Sequence, residues 1–195
     1  MEYSVETIKT DKKLREFIKS LKPKTVVLFI IDAKKYHKIH PKVLRMIIEE
    51  RCFAGIYITI NKPYNTLIKY LKENKINTKN IFFIDAISRV VGGNIRMTKD
   101  CLYIPSPTQL TDLAIAMTQA LESMKHKENK FIFLDSLSTL LIYNSFEVTA
   151  KFVHFIITRL RVFGLVGLII SIEKQIDEKM LNILIEMCDK VVEVK

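Results

Sequence analysis

The chain has 195 residues, of which 49% are hydrophobic and 27% charged, a composition that excludes an intrinsically disordered protein and suffices for one full core. No apolar run approaches the roughly 20 residues of a membrane span, and no apolar leader precedes the first charges. Three cysteines without a CxxC pair argue against a disulfide framework. We therefore expect a single cytoplasmic domain over residues 1–195. The net charge of +10 is concentrated in residues 1–100, which hold 21 of the 31 Lys and Arg but 10 of the 21 Asp and Glu.

Apolar spacing and proline positions organise the first part of the chain into alternating helices and strands. Apolar residues at helical intervals predict an N-terminal helix over about residues 5–22. Residues 25–31 are continuously apolar, which is typical of a strand covered on both faces. Pro41 fits the first position of the next helix, and Pro63 opens another helix after a second buried strand at residues 54–60.

The pattern breaks once, after a third buried strand at residues 80–88. Residues 89–100 hold two of the five glycines and predict a surface loop, whose degree of order the sequence leaves open. A short strand is expected within residues 101–107, and Ser106 or Thr108 is expected to cap the next helix. The remaining elements are predicted as a helix over 108–125, a strand from 131, a helix over 147–164 ended by Gly164, a strand over 166–172, a helix over 177–188 and a strand over 190–194.

The alternation of strands and helices predicts the fold class. It is typical of an α/β protein with a three-layer, doubly wound and mainly parallel sheet. Ligands of such sheets bind beyond the carboxyl ends of the strands. The loops expected at that edge are residues 32–40, 61–64, 85–94, 135–139 and 173–176.

The first of these loops lies where a phosphate-binding protein carries the motif G-x-x-x-x-G-K-[ST]. The glycines of that motif let backbone N–H groups wrap the phosphates. Residues 32–40 read DAKKYHKIH, without a glycine, and Pro41 removes one more N–H donor. A loop of side chains with Cβ atoms cannot form the usual phosphate cradle at low strain. Lys34, Lys35 and Lys38 either attract an anion by charge alone or are simply solvated.

Asp135 is the most informative acidic residue, because four apolar residues lead into it. This pattern resembles a Walker B strand, whose terminal carboxylate binds Mg²⁺. The alternative is that Asp135 or Ser136 caps a turn at the strand end. Asp32 and Asp85 also end predicted strands, and the three carboxylates either share a cation or a proton at one edge or serve as turn residues.

Histidine spacing offers one further candidate site for a metal. His37 and His40 are separated by two residues in the loop that precedes Pro41. Two side chains fall short of the three or four ligands of a zinc site, so the pair alone would leave such a site incomplete.

Longer segments carry a family resemblance. The segments GIYITINKPYNTLIKYLKE, NIFFIDAIS and IFLDSLSTLLIYN, then FVHFIITRLRVFGLVGLIISIE and CDKVVEV, resemble the archaeal KaiC-like branch of the RecA-type ATPases, over about residues 22–195. LDSLSTLLIYN followed by KFVHFIITRLR is fairly specific to that branch. The resemblance implies the RecA-like core of P-loop NTPases, with Asp135 at the Walker B position and residues 32–40 at the P-loop position.

Two departures from the family pattern concern catalysis. The P-loop glycines and the GK[ST] triplet are missing from residues 32–40. Active relatives have an acidic pair after the strand that matches YITI, and one Glu of the pair activates the attacking water. The matching residues here are Asn61 and Lys62, which cannot act as a general base near neutral pH. We therefore expect a degenerate member with negligible ATP hydrolysis and no catalytic residue.

These observations lead to one expected function. We expect an inactive RecA/KaiC-like domain that works as a binding or regulatory module, through a protein partner or self-association, with no cofactor and no membrane partner. The helix predicted over 147–164 is apolar around more than one stripe, so any exposed part of it would be an association face. A vestigial nucleotide site would comprise Lys34, Lys35, Lys38, Asp135 and Ser136, with Asp135 contacting a metal only when a Mg-nucleotide is bound.

Two alternatives remain open from the sequence. The first is a non-standard nucleotide-binding protein or ATPase that holds Mg-ATP with Asp135 and the Lys34–Lys38 loop. The second is nucleic-acid binding through the basic N-terminal half of the chain. The identity of a partner and the oligomeric state are not encoded in a recognisable motif.

Overall fold

The computed structural model describes residues 5–51, 53–92, 95, 97–173 and 175–195. Within these residues eight strands form one sheet, at Val5–Ile8 (β1), Val26–Ile31 (β2), Ala54–Thr59 (β3), Ile81–Asp85 (β4), Cys101–Tyr103 (β5), Lys130–Asp135 (β6), Val166–Ile172 (β7) and Lys190–Val194 (β8). The helices are Asp11–Ser20 (α1), Tyr36–Arg45 (α2), Tyr64–Glu73 (α3), Leu110–Ser123 (α4), Leu137–Tyr143 (α5), Phe146–Phe163 (α6) and Glu178–Met187 (α7). None of these helices is both long and apolar enough to cross a membrane.

All neighbouring strands of the sheet are parallel. Their order is β1-β8-β2-β7-β6-β3-β4-β5, so most neighbours are distant in sequence and connected by helical crossovers. The central pairs have long registers, such as Val26–Ile31 of β2 against Gly167–Ile172 of β7. The predicted three-layer, doubly wound α/β fold is confirmed.

Helices cover both faces of the sheet, which explains the continuous apolar runs of the strands. Val27, Phe29 and Ile31 point to the layer of α1, α2 and α3. Val26 and Leu28 alternate with them and point to the layer of α4 to α7. Because each face is buried, every position of β2 except Ile30 is fully buried.

The predicted N-terminal helix over 5–22 is wrong in its first third. Residues Val5–Ile8 form the edge strand β1, which pairs with Val191–Val194 of β8. Three of the four residues are β-branched and favour a strand once a partner is present. The helix begins only at Asp11, where the Thr10 hydroxyl accepts a hydrogen bond from the Lys13 N–H at 3.3 Å.

The prediction that Pro41 is the first residue of its helix is also wrong. Helix α2 begins at Tyr36, so Pro41 is its sixth residue, and a wider π-helical turn at Met46–Glu50 continues it. The proline has no N–H to donate to the His37 carbonyl one turn earlier. That carbonyl instead accepts a hydrogen bond from the Tyr70 hydroxyl of α3, at 2.8 Å. A contact from another helix therefore permits the proline inside α2.

The predicted end of α6 and start of α3 are confirmed, whereas the predicted cap of α4 is wrong. Gly164 ends α6 with a left-handed φ of 71°, and Pro63 immediately precedes α3, as predicted. Neither Ser106 nor Thr108 caps α4, because their hydroxyls lie 2.9 Å from each other and the helix starts later, at Leu110. The prediction for residues 89–100 falls partly on residues 93, 94 and 96, which lie outside the described residues.

Candidate functional site

The candidate site is built around Asp135, the last residue of the central strand β6. Its side chain is completely buried. The Tyr36 hydroxyl donates a hydrogen bond to Oδ1 at 2.5 Å, and the Tyr57 hydroxyl donates one to Oδ2 at 2.6 Å. Tyr36 is the first residue of α2, whereas Tyr57 lies in the neighbouring strand β3. Two separate elements therefore supply the donors that compensate this buried carboxylate.

His40 completes the cluster from one turn further along α2. Its Nε2 lies 2.7 Å from the Tyr57 hydroxyl oxygen and 3.7 Å from Asp135 Oδ2. Because the Tyr57 proton is used for Asp135, the hydrogen-bond network assigns the proton to His40 Nε2, which donates to Tyr57. Its Nδ1 is buried without a hydrogen-bond partner among the described residues. The Tyr36 and His40 rings stack with centroids 5.2 Å apart, as expected for side chains four residues apart on one helix face.

The electrostatics of the cluster keep its rings neutral. Burial, together with the Asp135 carboxylate, raises the pKa values of Tyr36 and Tyr57, so both phenols stay protonated and remain donors. Burial lowers the pKa of His40 to about 4. Asp135 opposes this shift of the His40 pKa, whereas Lys62 adds to it. The imidazole is therefore uncharged at neutral pH.

Lys62 closes the outer side of the cluster. Its Nζ lies 4.8 Å from the centre of the Tyr36 ring and 5.4 Å from that of Tyr70. These distances fit cation–π contacts. One of the two positions that the resemblance matches to the acidic pair thus carries a cation, which packs on Tyr36, a residue that covers Asp135.

The other two carboxylates at this edge organise turns. Asp85 accepts hydrogen bonds from the N–H groups of Ile87 and Ser88 and from the Ser88 hydroxyl, and its Oδ2 also accepts the Tyr64 N–H at 2.6 Å. Asp32 accepts the Lys34 N–H at 2.7 Å. Turn chemistry therefore explains both residues, and Asp85 lies across β3 from Asp135 with its oxygens occupied.

Metal binding finds no support at the predicted histidine pair. His37 is exposed on the outside of α2, whereas His40 is fully buried in the Asp135 cluster, so the two side chains do not converge. In the described ranges of the chain no three His, Cys, Asp or Glu side chains form a group that could hold a metal ion. The hypothesis of a metal on His37 and His40 is wrong.

The residues predicted as a vestigial nucleotide site are divided by the structure. Asp135 and Ser136 are buried, and the Ser136 hydroxyl caps α5 by accepting the Thr139 N–H at 3.3 Å. Lys34, Lys35 and Lys38 are exposed. Within the part of the chain that the structure describes, no hydrogen bond or ion pair joins these lysines to Asp135.

Sequence reasoning missed the aromatic half of the cluster. Tyr57 was visible only as one residue of a buried strand, although a buried tyrosine hydroxyl requires a hydrogen-bond partner. The sequence predicts Tyr36 and His40 in a loop, because it places the start of the helix at Pro41. Their spacing of four residues indicates a shared helix face only when α2 begins at Tyr36.

The comparisons with known proteins agree with this fold. Residues 85–194, more than half of the chain, match a family of unknown function, DUF7504, and the chain belongs to that family. No curated protein has a matching sequence.

Several solved structures share the fold of this chain. A KaiC-like protein of Pyrococcus horikoshii is 13% identical, with a TM-score of 0.65 over 88% of this chain and 73% of that chain. The flagellar accessory protein FlaH of Methanocaldococcus jannaschii is 13% identical, with a TM-score of 0.59 over 93% and 76%. An uncharacterized P. horikoshii protein, crystallised with an unknown peptide, is 14% identical, with a TM-score of 0.70 over 93% and 82%. The fold is RecA/KaiC-like.

Proposed function

We propose that this member of the DUF7504 family is a RecA/KaiC-like domain that does not hydrolyse ATP and acts as a binding or regulatory module through protein association. The observation that carries the proposal is the complete burial of Asp135 under Tyr36 and Tyr57. A Walker B carboxylate must reach the Mg²⁺ of a bound nucleotide, directly or through water. Asp135 would have to give up both short hydrogen bonds and displace the start of α2 to do so.

The start of α2 gives independent support. An anion-binding loop needs backbone N–H groups that point outward, free of internal partners. Here the N–H groups of Lys35, Lys38 and Ile39 donate to carbonyl oxygens of residues 32 and 35, and that of Lys34 donates to Asp32. The segment that corresponds to the P-loop uses these donors to build its own turn and helix.

The two residues that the resemblance matches to the catalytic acidic pair include no general base. Asn61 and Lys62 follow β3, and Lys62 contacts the Tyr36 and Tyr70 rings as a cation. An ammonium group cannot accept the proton of an attacking water. The lack of an acidic residue at these two positions supports the loss of ATP hydrolysis, independently of the missing phosphate-binding loop.

Protein association is supported by a groove between α4 and α6. Two adjoining cavities of about 350 and 380 Å³ share Ala114 and Phe155 in their walls. Ile115 on the same face of α4 is 52% exposed. Lys151 and Arg159 flank the groove from α6. Apolar walls with basic flanks suit a partner helix that presents an apolar stripe and acidic neighbours, and we propose such a segment as the occupant.

ATP turnover tests the proposal directly. We expect purified protein to release no phosphate from Mg-ATP above the rate of a protein-free control. Turnover at a rate typical of RecA-type enzymes, abolished in the Asp135→Asn variant, would show that Asp135 is catalytic and would contradict the proposal.

A further inference from the structure

A second surface feature lies apart from Asp135, between the start of α1, the start of α2 and the end of β8. It is a cleft of about 250 Å³ with an aliphatic floor of Leu14, Ile39 and Val194. Besides Thr10 and Asp11, its rim carries five lysines, which are Lys9, Lys35, Lys38, Lys42 and Lys195. These lysines come from three separate parts of the chain, so the fold creates the cluster.

Ion pairs compensate only two of the five lysines. Lys42 Nζ holds both oxygens of Asp11, at 2.7 and 2.8 Å, and Lys195 Nζ lies 3.0 Å from Glu193. Lys9, Lys35 and Lys38 have no ion pair with any described residue. Three uncompensated ammonium groups around one cavity repel each other and attract anions.

We propose that this cleft binds the phosphate backbone of a nucleic acid. Lysine is a flexible point charge that suits phosphate contacts and carries no base readout. The described residues of the lining include no aromatic ring on which a base could stack, so binding there would rest on phosphate contacts alone. Lys12 and Lys34, the sequence neighbours of the lining residues Asp11 and Lys35, are also exposed. An extended polyanion uses such a surface more fully than a single phosphate does.

This site is independent of the proposed function. Asp135, Tyr36 and Tyr57 contribute nothing to the cleft, and ATP hydrolysis is irrelevant to it. Loss or retention of ATPase activity therefore leaves the proposal unchanged, and the two can fail separately.

Binding of a labelled single-stranded DNA oligonucleotide, measured by fluorescence anisotropy at increasing salt, tests the proposal. Each phosphate contact contributes a slope of about −0.7 to log K against log [salt], so three lysines predict a slope of roughly −2. The test variant is Lys35→Glu/Lys38→Glu. Lys69→Glu/Lys72→Glu on α3 is the matched control, because both residues are exposed, lie outside the cleft and change the net charge equally.

We expect the cleft variant to bind at least about tenfold more weakly and to lose roughly 1.4 of the slope, whereas the control keeps most of its affinity. Equal losses in the two variants would show that net charge alone attracts the oligonucleotide and would overturn the proposal. Absence of binding at 50 mM salt, a condition that favours phosphate contacts, would do the same. Displacement by pyrophosphate at concentrations too low to change the ionic strength would assign the cleft to a small anion instead.

Discussion

At the scale of single residues, the site is a buried carboxylate whose two oxygens are occupied by neighbouring hydroxyl groups. Tyr36 and Tyr57 each satisfy one oxygen of Asp135, and burial keeps both phenols protonated. His40 adds a third ring and leaves Nδ1 without a partner among the described residues. The sequence predicts Asp135 as a carboxylate at a strand end, and the structure confirms this position. Its hydrogen-bond donors, Tyr36 and Tyr57, come from elements that reach it only in the folded chain.

His40 gives the cluster a definite pH dependence. Its pKa falls from an ordinary value of 6.5 to about 4 in the folded protein, so between these values the unfolded chain binds more protons and stability decreases as the pH is lowered. For this shift the unfolding free energy should drop by about 2 kcal/mol between pH 7 and pH 5 because of His40 alone.

Urea denaturation at the two pH values, with His40→Gln as the comparison, isolates this contribution. The glutamine retains a donor for Tyr57 but does not titrate. We expect the wild-type chain to lose about 2 kcal/mol more than the variant on acidification. A difference between the two proteins that stays constant from pH 7 to pH 5 would show that His40 is not buried as described.

At the scale of elements, local sequence predicted those segments whose boundaries are encoded locally. Helix α6 is long, apolar on its inner face and ended by Gly164, and β7 is a continuous apolar run, so both were predicted from the sequence. Strand β1 and the first turn of α2 were not predicted, because each depends on a contact with a residue far away in the sequence. β1 needs β8 as a neighbour, and α2 needs the Tyr70 hydroxyl to satisfy the carbonyl that Pro41 leaves without a donor.

The Tyr70→Phe substitution tests this explanation of α2. It removes the hydroxyl that donates to the His37 carbonyl and preserves the ring. We expect a loss of about 1 kcal/mol in unfolding free energy, measured by urea denaturation. Tyr143→Phe is the matched control, since the Tyr143 hydroxyl makes no hydrogen bond with the described residues, and we expect no comparable change. Equal stability of Tyr70→Phe and the wild type would mean that α2 tolerates Pro41 without this contact.

At the scale of the whole molecule, the fold separates two groups of residues that the sequence analysis placed in one candidate site. The Lys34–Lys38 loop and Asp135 both lie at the carboxyl edge of a parallel sheet, so a shared nucleotide site was a reasonable expectation. In the structure residues 36–38 of this loop belong to the first turn of α2, and Lys34 and Lys35 precede the helix. Tyr36 faces inward over Asp135, and Lys35 and Lys38 face outward into the basic cleft. This division depends on helix rotation, which composition and motif spacing do not determine.

The doubly wound α/β architecture was predictable, because apolar strands alternate with amphipathic helices along the chain. Its RecA/KaiC-like form was implied by the family resemblance. What the architecture does not determine is whether a nucleotide binds, since one fold hosts many functions. The closure of Asp135 by residues of α2 and β3 is therefore the point on which the proposed function depends.

The melting temperature with and without 1 mM Mg-ATP tests that closure most directly. A nucleotide bound with a dissociation constant of about 10 μM would add roughly 2.7 kcal/mol of stability at this concentration, which corresponds to a rise of about 5–10 °C for a domain of this size. If Tyr36 and Tyr57 keep Asp135 buried, we expect Mg-ATP to leave the melting temperature unchanged. A rise of that size, lost in the Asp135→Asn variant, would show that α2 opens to admit a Mg-nucleotide and would contradict the closed site.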